Sequence, residues 1–365
     1  MKIPYVNLIK QSRIEKKKLI NVINHVLDKS EFISGFYVEE FEKNIKKYLK
    51  TKYCVSLNSG TDALVLGLYA LGIRRGDEII TTPNSFIAST AVIVHLGAKP
   101  VFVDVANDQN IDPSKIEEKI TKKTKAIMPV HLTGRVCNMD KILKIAKKFN
   151  LKVIEDAAQA IGSKFKGKYA GTFGDIGCFS AHPLKNLNAI GDSGYLVTNN
   201  RKIADFIKDL RNHGMTRRDK VKNFGFVSRM DNLQAGILNM RIKELKKVIL
   251  KRRKNAKLYQ KHLKNLPIFI PEEQKYEFNT YHTFVIQAPK RDQLKKFLKK
   301  NGIDTSIHYP IPIHLQPASK KLGYKRGDFI NTEKQAKKIL TLPVNQYLTK
   351  KEINYIIFKI KQFYE

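Results

Sequence analysis

One lysine, Lys185, stands alone in FSAHPLKNLNAIGDSGYLVTNN (residues 179–200), in a chain that spreads lysines almost everywhere else. It is bounded by Pro183, Asn186 and the glycines Gly191 and Gly194, and a strand-like GYLVTN follows, so a solvated surface role explains it poorly. Away from water an ammonium group loses stability, its pKa falls, and the neutral amine becomes available to condense with a carbonyl. Upstream, LKVIEDAAQA delivers Asp156 at the end of a buried-strand pattern, with Gln159 three residues later. That carboxylate suits two roles: a cap for the next helix, or the fixed anion that keeps a pyridinium nitrogen protonated.

Two further stretches add anion and ring chemistry. LNSGTDALVLGL places Ser59, Gly60 and Thr61 just before an apolar-periodic helix, where unpaired N–H groups and the helix dipole favour a phosphate; plain capping is the other reading. Ser180, five residues before Lys185, adds a hydroxyl. Phe86, in TTPNSFIAST at another strand end, either covers a flat ring or packs in the core. A phosphate site, a carboxylate for a ring nitrogen and an amine for an aldehyde together describe pyridoxal 5'-phosphate.

Elements must bring these groups together. DALVLGLYALGI, FIASTAVIVHLGA and NMDKILKIAKKFN have helical periodicity, whereas DEIITT, KPVFVDV, TKAIMPV and LKVIED read as short strands. This α/β alternation predicts a mainly parallel sheet covered by helices, with ligands at the carboxyl ends of the strands. RMDNLQAGILNMRIKELKKVILKRRKNAKLYQKHL reads as one long helix, and the pattern changes after it. The predicted division is a large domain over residues 1–244, including the N-terminal segment, and a smaller C-terminal α/β domain over 245–365.

Composition narrows the functional classes. The formal charge is +35, with 68 basic residues against 33 acidic ones. The lysines recur along helical stretches such as KNIKKYLKTK and RDQLKKFLKK, a pattern of solvated faces rather than a nucleic-acid track. Cys54, Cys137 and Cys178 are too few and too scattered for a disulfide framework or a zinc site, and no metal is expected. No apolar run approaches the roughly 20 residues that cross a bilayer, and MKIPYVNLIK lacks a signal peptide's apolar stretch, so no membrane association is expected and the predicted compartment is cytoplasmic.

The ordered blocks FISGFYVEEFE, LNSGTDALVLGLYALGI, GDEIITTPNSFIAS, GAKPVFVDV, VIEDAAQAIGS, GDIGCFSAHPLKNLNAIGDSGYLVTN, LRNHG, SRMDNLQAGIL and IHYPIPIHLQPA cover nearly the whole chain. In that order they resemble the DegT/DnrJ-type nucleotide-sugar aminotransferases, within the fold-type I pyridoxal phosphate enzymes. The resemblance implies a large domain with a seven-stranded, mainly parallel sheet, and a homodimer with shared active sites. It implies that Lys185 bonds the cofactor and shuttles the proton, that Asp156 contacts the ring nitrogen and Gln159 the ring hydroxyl. Gly60, Thr61 and Ser180 would bind the phosphate and Phe86 would stack on the ring. The expected reaction moves an amino group from L-glutamate to a nucleotide-linked keto-sugar. A dehydratase branch carries histidine in place of the lysine, so Lys185 argues against it.

For the substrate, His182, Arg229, His308, Tyr309 and His314 are the candidate contacts. Packing within their own loops is the alternative for His182 and His314. The HYPIPIHLQPA block resembles members that act at C3 of dTDP- or UDP-linked sugars, with C4-acting and cyclitol aminotransferases as alternatives. A non-catalytic polyanion-binding or regulatory protein is the alternative of a different class. One position departs from the family: a GxNxR asparagine that reaches the neighbouring subunit's cofactor phosphate is Val227 here, while Arg229 is retained. Loss of one neutral hydrogen bond would cost about 1 kcal/mol of cofactor affinity.

Overall fold

The computed structural model describes all of residues 1–365. Seven strands form the main sheet: β1 (Tyr53–Leu57), β2 (Glu78–Thr81), β3 (Lys99–Phe102), β4 (Thr124–Ile127), β5 (Lys152–Asp156), β6 (Ile176–Ser180) and β7 (Gly194–Thr198). Their spatial order is β1-β7-β6-β5-β4-β2-β3, and only β7 runs against the others. Successive side chains go to opposite faces: Ile80, Ile127 and Val153 join one apolar cluster, whereas Ile79, Ala126 and Ile154 join another. Both faces are therefore buried, as a parallel sheet requires, and β2 is buried along its whole length.

Helices cover the two faces. They include α2 (Phe36–Leu49), α3 (Gly60–Ala70), α4 (Ala88–His95), α5 (Met139–Lys148), α6 (Arg201–Leu210) and α7 (Asn232–Ile242), while α1 (Leu8–Lys29) packs on α7 rather than on the sheet. Local sequence sets several of their starts. The Ser59 hydroxyl accepts from the Asp62 N–H at 3.0 Å to begin α3, and the Asn138 side chain accepts from the Lys141 N–H at 3.3 Å to begin α5. None of the helices is long and apolar enough to cross a membrane.

The long helix expected after Arg229 is two helices. α7 ends at Ile242 and α8 (Leu245–Leu263) starts afresh, the two turning on Lys243 and Glu244. α8 then connects two cores, giving Leu245 and Ile249 to the large one and Ala256, Tyr259 and Leu263 to a smaller one. That smaller core also receives Leu294 and Leu298 of α9 (Arg291–Lys300) and Ile353, Ile356, Ile357 and Ile360 of α11 (Lys350–Tyr364). It sits on the antiparallel pair β8 (Phe284–Gln287) and β9 (Ile339–Leu342), with α10 (Ile330–Lys338) leading into β9.

The extreme N-terminus belongs with this smaller unit, against the expected grouping of residues 1–244. The Ile3 N–H donates to the Gly302 carbonyl at 2.8 Å, its carbonyl accepts from the Asp304 N–H at 2.9 Å, and its side chain is fully buried in the smaller core. Nothing in MKIPYVN signals a partner 300 residues away.

Candidate active site

The carboxyl ends of β1, β5 and β6 converge on one cavity of about 400 Å³. Its wall includes Gly60, Thr61, Phe86, Asp156, Gln159, Ser180, His182, Lys185, His308 and Tyr309, ten of the twelve residues singled out from sequence. Burial pushes the Lys185 amine down to about 8, opposed only by attraction to the Asp156 carboxylate.

Asp156 is buried at the end of β5. The Ser89 hydroxyl donates to its Oδ2 at 2.7 Å and the Ala158 N–H to its Oδ1 at 3.1 Å. Two donors leave acceptor sites free on the two oxygens. Gln159 is held by the Thr133 N–H, which donates to its Oε1 at 2.8 Å, and its Nε2 lies 3.4 Å from the Tyr309 hydroxyl. Phe86 is 56% exposed, which excludes the core role, and its ring faces that of Tyr309 at 6.1 Å.

The other end of the cavity is a backbone cradle. A Cβ on Gly60 would lie 2.7 Å from the Ser180 Cβ, and one on Gly194 would lie 2.2 Å from the Ser59 carbonyl carbon. Only glycine lets β6, β7 and the start of α3 approach this closely. The N-terminus of an eleven-residue helix therefore opens beside Thr61 and Ser180.

The smaller unit supplies the remaining wall. His308 pairs through Nδ1 with the Thr341 hydroxyl at 2.9 Å, and burial together with the charge of Lys185 pushes its pKa down to about 4. Burial raises the Tyr309 phenol above its ordinary value. His182 is exposed on the wall, and its Nδ1 accepts the Leu184 N–H at 3.3 Å, so it both faces the cavity and holds its own turn.

Two expected residues are not brought into this cavity. His314 is buried elsewhere, its Nε2 3.1 Å from Glu333 and its ring edge-on to Phe329 at 4.7 Å, so its partner is a side chain rather than loop backbone. Arg229 donates through Nη1 to Asn212 at 3.0 Å and lines none of the cavity. Conversely, sequence reasoning missed Ser89, Leu184, Asp192, Ser193 and His282, all on the wall. Ser89 lies three residues beyond Phe86 on the α4 turn, a spacing that could have marked it; His282 carried no such signal.

These groups fit pyridoxal phosphate: a glycine-built helix terminus, a buried carboxylate with free acceptor sites, an amine poised for condensation and room for the ring. The chain also matches the family model "DegT/DnrJ/EryC1/StrS aminotransferase family" over residues 13–361. The chain belongs to this family. Among its relatives are a "Pleiotropic regulatory protein" of Geobacillus stearothermophilus, 40% identical over 100% of this chain and 99% of that one. Another is the dTDP-3-amino-3,6-dideoxy-alpha-D-galactopyranose transaminase of Aneurinibacillus thermoaerophilus, 38% identical over 99% of both chains. The crystal structure of S. venezuelae DesV in complex with a ketimine intermediate is 34% identical, with a TM-score of 0.97 over 100% of this chain and 99% of that one. NtdA from Bacillus subtilis, solved with bound PMP, is 37% identical with a TM-score of 0.89, over 95% of this chain and 81% of that one. Family members are pyridoxal phosphate-dependent enzymes of fold-type I, and this chain is such a sugar aminotransferase.

Proposed function

We propose that this aminotransferase converts a dTDP- or UDP-linked 3-keto sugar to the 3-amino sugar with L-glutamate as donor, in the cytoplasm, as a homodimer whose active sites are shared. The observation that carries the reading is the Lys185 amine, held near pKa 8 on the wall of a cavity that also contains the buried Asp156. Gly60, Thr61 and Ser180 would hold the cofactor's phosphate, Phe86 its ring face, Gln159 its ring hydroxyl, and Asp156 the proton on its ring nitrogen. When bound, pyridoxal phosphate supplies the electron sink that makes the hydrogen on the carbon beside the substrate nitrogen acidic. Lys185 Nζ takes that proton from the donor's Cα. In the second half-reaction the same Nζ delivers a proton to the sugar carbon that now carries nitrogen.

Two observations support the finer assignments. The Aneurinibacillus relative is named for a 3-amino sugar, which favours C3 over C4. Phe224, Phe226 and Val227 sit in one short segment with their side chains in solvent, Phe224 at 97% exposure, which favours a partner subunit there. Arg229 would then act across that interface as a diphosphate contact, with His182, His308 and Tyr309 facing the sugar from within the protomer. A purely regulatory role, suggested by the Geobacillus relative's name, leaves the tuned Lys185 without a task.

Absorbance of the holoenzyme before and after L-glutamate, beside Lys185→Ala, tests the reading. Wild type shifts from the pyridoxal to the pyridoxamine band and the variant does not. The pyridoxamine form, offered 3-keto and 4-keto sugar nucleotides, turns over the 3-keto compound faster; the reverse order overturns the C3 assignment. A stable, active monomer in light scattering overturns the dimer.

A further inference from the structure

Four arginines are buried: Arg135, Arg241, Arg252 and Arg291. Three of them meet a carboxylate, Arg135 with Glu277 at 2.6 Å, Arg241 with Glu15 at 2.7 Å and Arg291 with Asp292 at 2.7 Å. Arg252 meets none. Its neighbour Arg253 grips both oxygens of Glu273, at 2.5 and 3.1 Å. Arg252 instead uses Nε on the Gln346 side chain at 3.1 Å and Nη1 on the Tyr281 and His282 carbonyls at 3.3 and 3.1 Å, and its Nη2 has no protein partner. A buried guanidinium without a counter-ion is costly, and a fold keeps one where something else supplies the anion.

The surroundings say where that anion enters. Arg252 borders a small pocket of about 40 Å³ together with Tyr5, Val6, Leu184, His282 and His308, and no Asp or Glu lines it. Leu184, His282 and His308 also line the main cavity, so the pocket adjoins it across these three side chains, one of them next to Lys185, and is treated as its side branch. The buried Nδ1 of His282 has no hydrogen-bond partner. The branch has room for one or two water-sized groups, which matches the two oxygens of a carboxylate and is too small for a sugar ring or a nucleotide.

We propose that Arg252 is the carboxylate anchor of the amino-acid donor, with the side branch receiving one carboxylate while the donor's amine lies in the main cavity. The guanidinium fork matches a carboxylate in geometry and charge, and binding supplies the counter-ion that the protein leaves out. This rests on the reading that an amino acid is the donor, and it adds the group that recognises it.

The test uses the holoenzyme with glutarate, a dicarboxylate without an amine, in titration calorimetry, together with the two half-reactions followed separately. Arg252→Gln is expected to weaken glutarate binding and raise KM for L-glutamate on the order of 10- to 100-fold. Arg252→Lys falls between, and the cofactor's absorbance stays at the wild-type value; the lost bonds to Gln346 and to the Tyr281 and His282 carbonyls lower the thermal midpoint, but a merely structural role would not single out glutarate affinity and the KM for L-glutamate. Val6→Phe, which narrows the branch with Arg252 intact, weakens glutarate binding as well, and the uncharged glutaramide binds poorly to wild type. The last two measurements decide the matter if Arg252→Gln does not fold. Unchanged glutarate affinity in the folded Arg252→Gln variant or in Val6→Phe, or equal affinity for glutaramide and glutarate, overturns the proposal. So does a loss confined to the sugar half-reaction, which would assign the anion to the sugar substrate. If glutarate binding depends on Arg252 but L-glutamate leaves the wild-type cofactor band unchanged, the anchor stands and the assignment of L-glutamate as donor fails.

Discussion

Glu155 and Asp156 are adjacent on β5, are both buried, and face opposite sides of the sheet. Glu155 is saturated: Oε1 accepts from the Phe173 and Gly174 N–H groups at 2.6 and 2.7 Å, and Oε2 from the Gly171 N–H at 2.7 Å. The fourth donor is His131, 2.8 Å from Oε2; because its Nδ1 accepts the Cys137 N–H, the ring carries its proton on Nε2. Asp156 has only two donors and opens on the cavity. A carboxylate whose acceptor sites are all filled holds a loop in place, whereas one left partly unfilled can accept a hydrogen bond from a ligand while keeping its charge. Arg253 and Arg252 repeat the contrast with the opposite charge.

The strongest way to break this comparison is Asp156→Asn, which keeps the shape and removes the charge. Turnover should fall on the order of 100-fold or more, with the thermal midpoint nearly unchanged. Glu155→Gln should do the reverse. An amide NH2 group facing backbone N–H donors costs about 3 kcal/mol in denaturant unfolding, while the folded fraction keeps its turnover per site. A Glu155→Gln protein of normal stability but low turnover would erase the distinction.

A pH titration sharpens the comparison from the side of the amine. The folded-state pKa of Lys185 lies below its unfolded value of 10.5, so below about 8 the amine is protonated. The rate of cofactor attachment to the cofactor-free protein should rise about tenfold per pH unit up to about 8 and then level off, rather than climb on to 10.5. The same depression adds stability as pH rises between those two values, read in unfolding midpoints. His308, held near 4, stays neutral through this window and adds no break of its own. The smallest effect is expected of Ser89→Ala, which removes one hydrogen bond to Asp156. It should cost about 1 kcal/mol, roughly fivefold in cofactor affinity, with Ser89→Thr restoring it.

Much of the site was legible because its key groups sit at strand ends in short, ordered blocks. Asp156 closes an apolar strand, Lys185 follows another, and Gly60 and Thr61 open a helix, so each residue's role is coupled to its local element. Arg229 and His314 sit in equally suggestive blocks, yet neither reaches the cavity of this protomer. His314 illustrates why: its carboxylate partner, Glu333, lies on α10, and no local pattern announces that pairing. The break between α7 and α8 was also hidden, because the apolar spacing runs through Lys243 and Glu244 without a proline or glycine.

By itself the sequence determined the alternation of strands and helices, and the placement of Asp156 at a strand end and of Lys185 in the loop after the next strand, because periodicity, caps and turn residues act over a few positions; the order of its motif blocks carried the resemblance to the family. Only the tertiary structure decided that Ser89 supports Asp156, that Ile3 pairs beside Gly302 in the smaller unit, and that Arg252 faces a side branch while Arg253 is neutralised. Those outcomes depend on which buried charges meet. That is settled by contacts between residues tens to hundreds of positions apart, and local spacing carries no record of them.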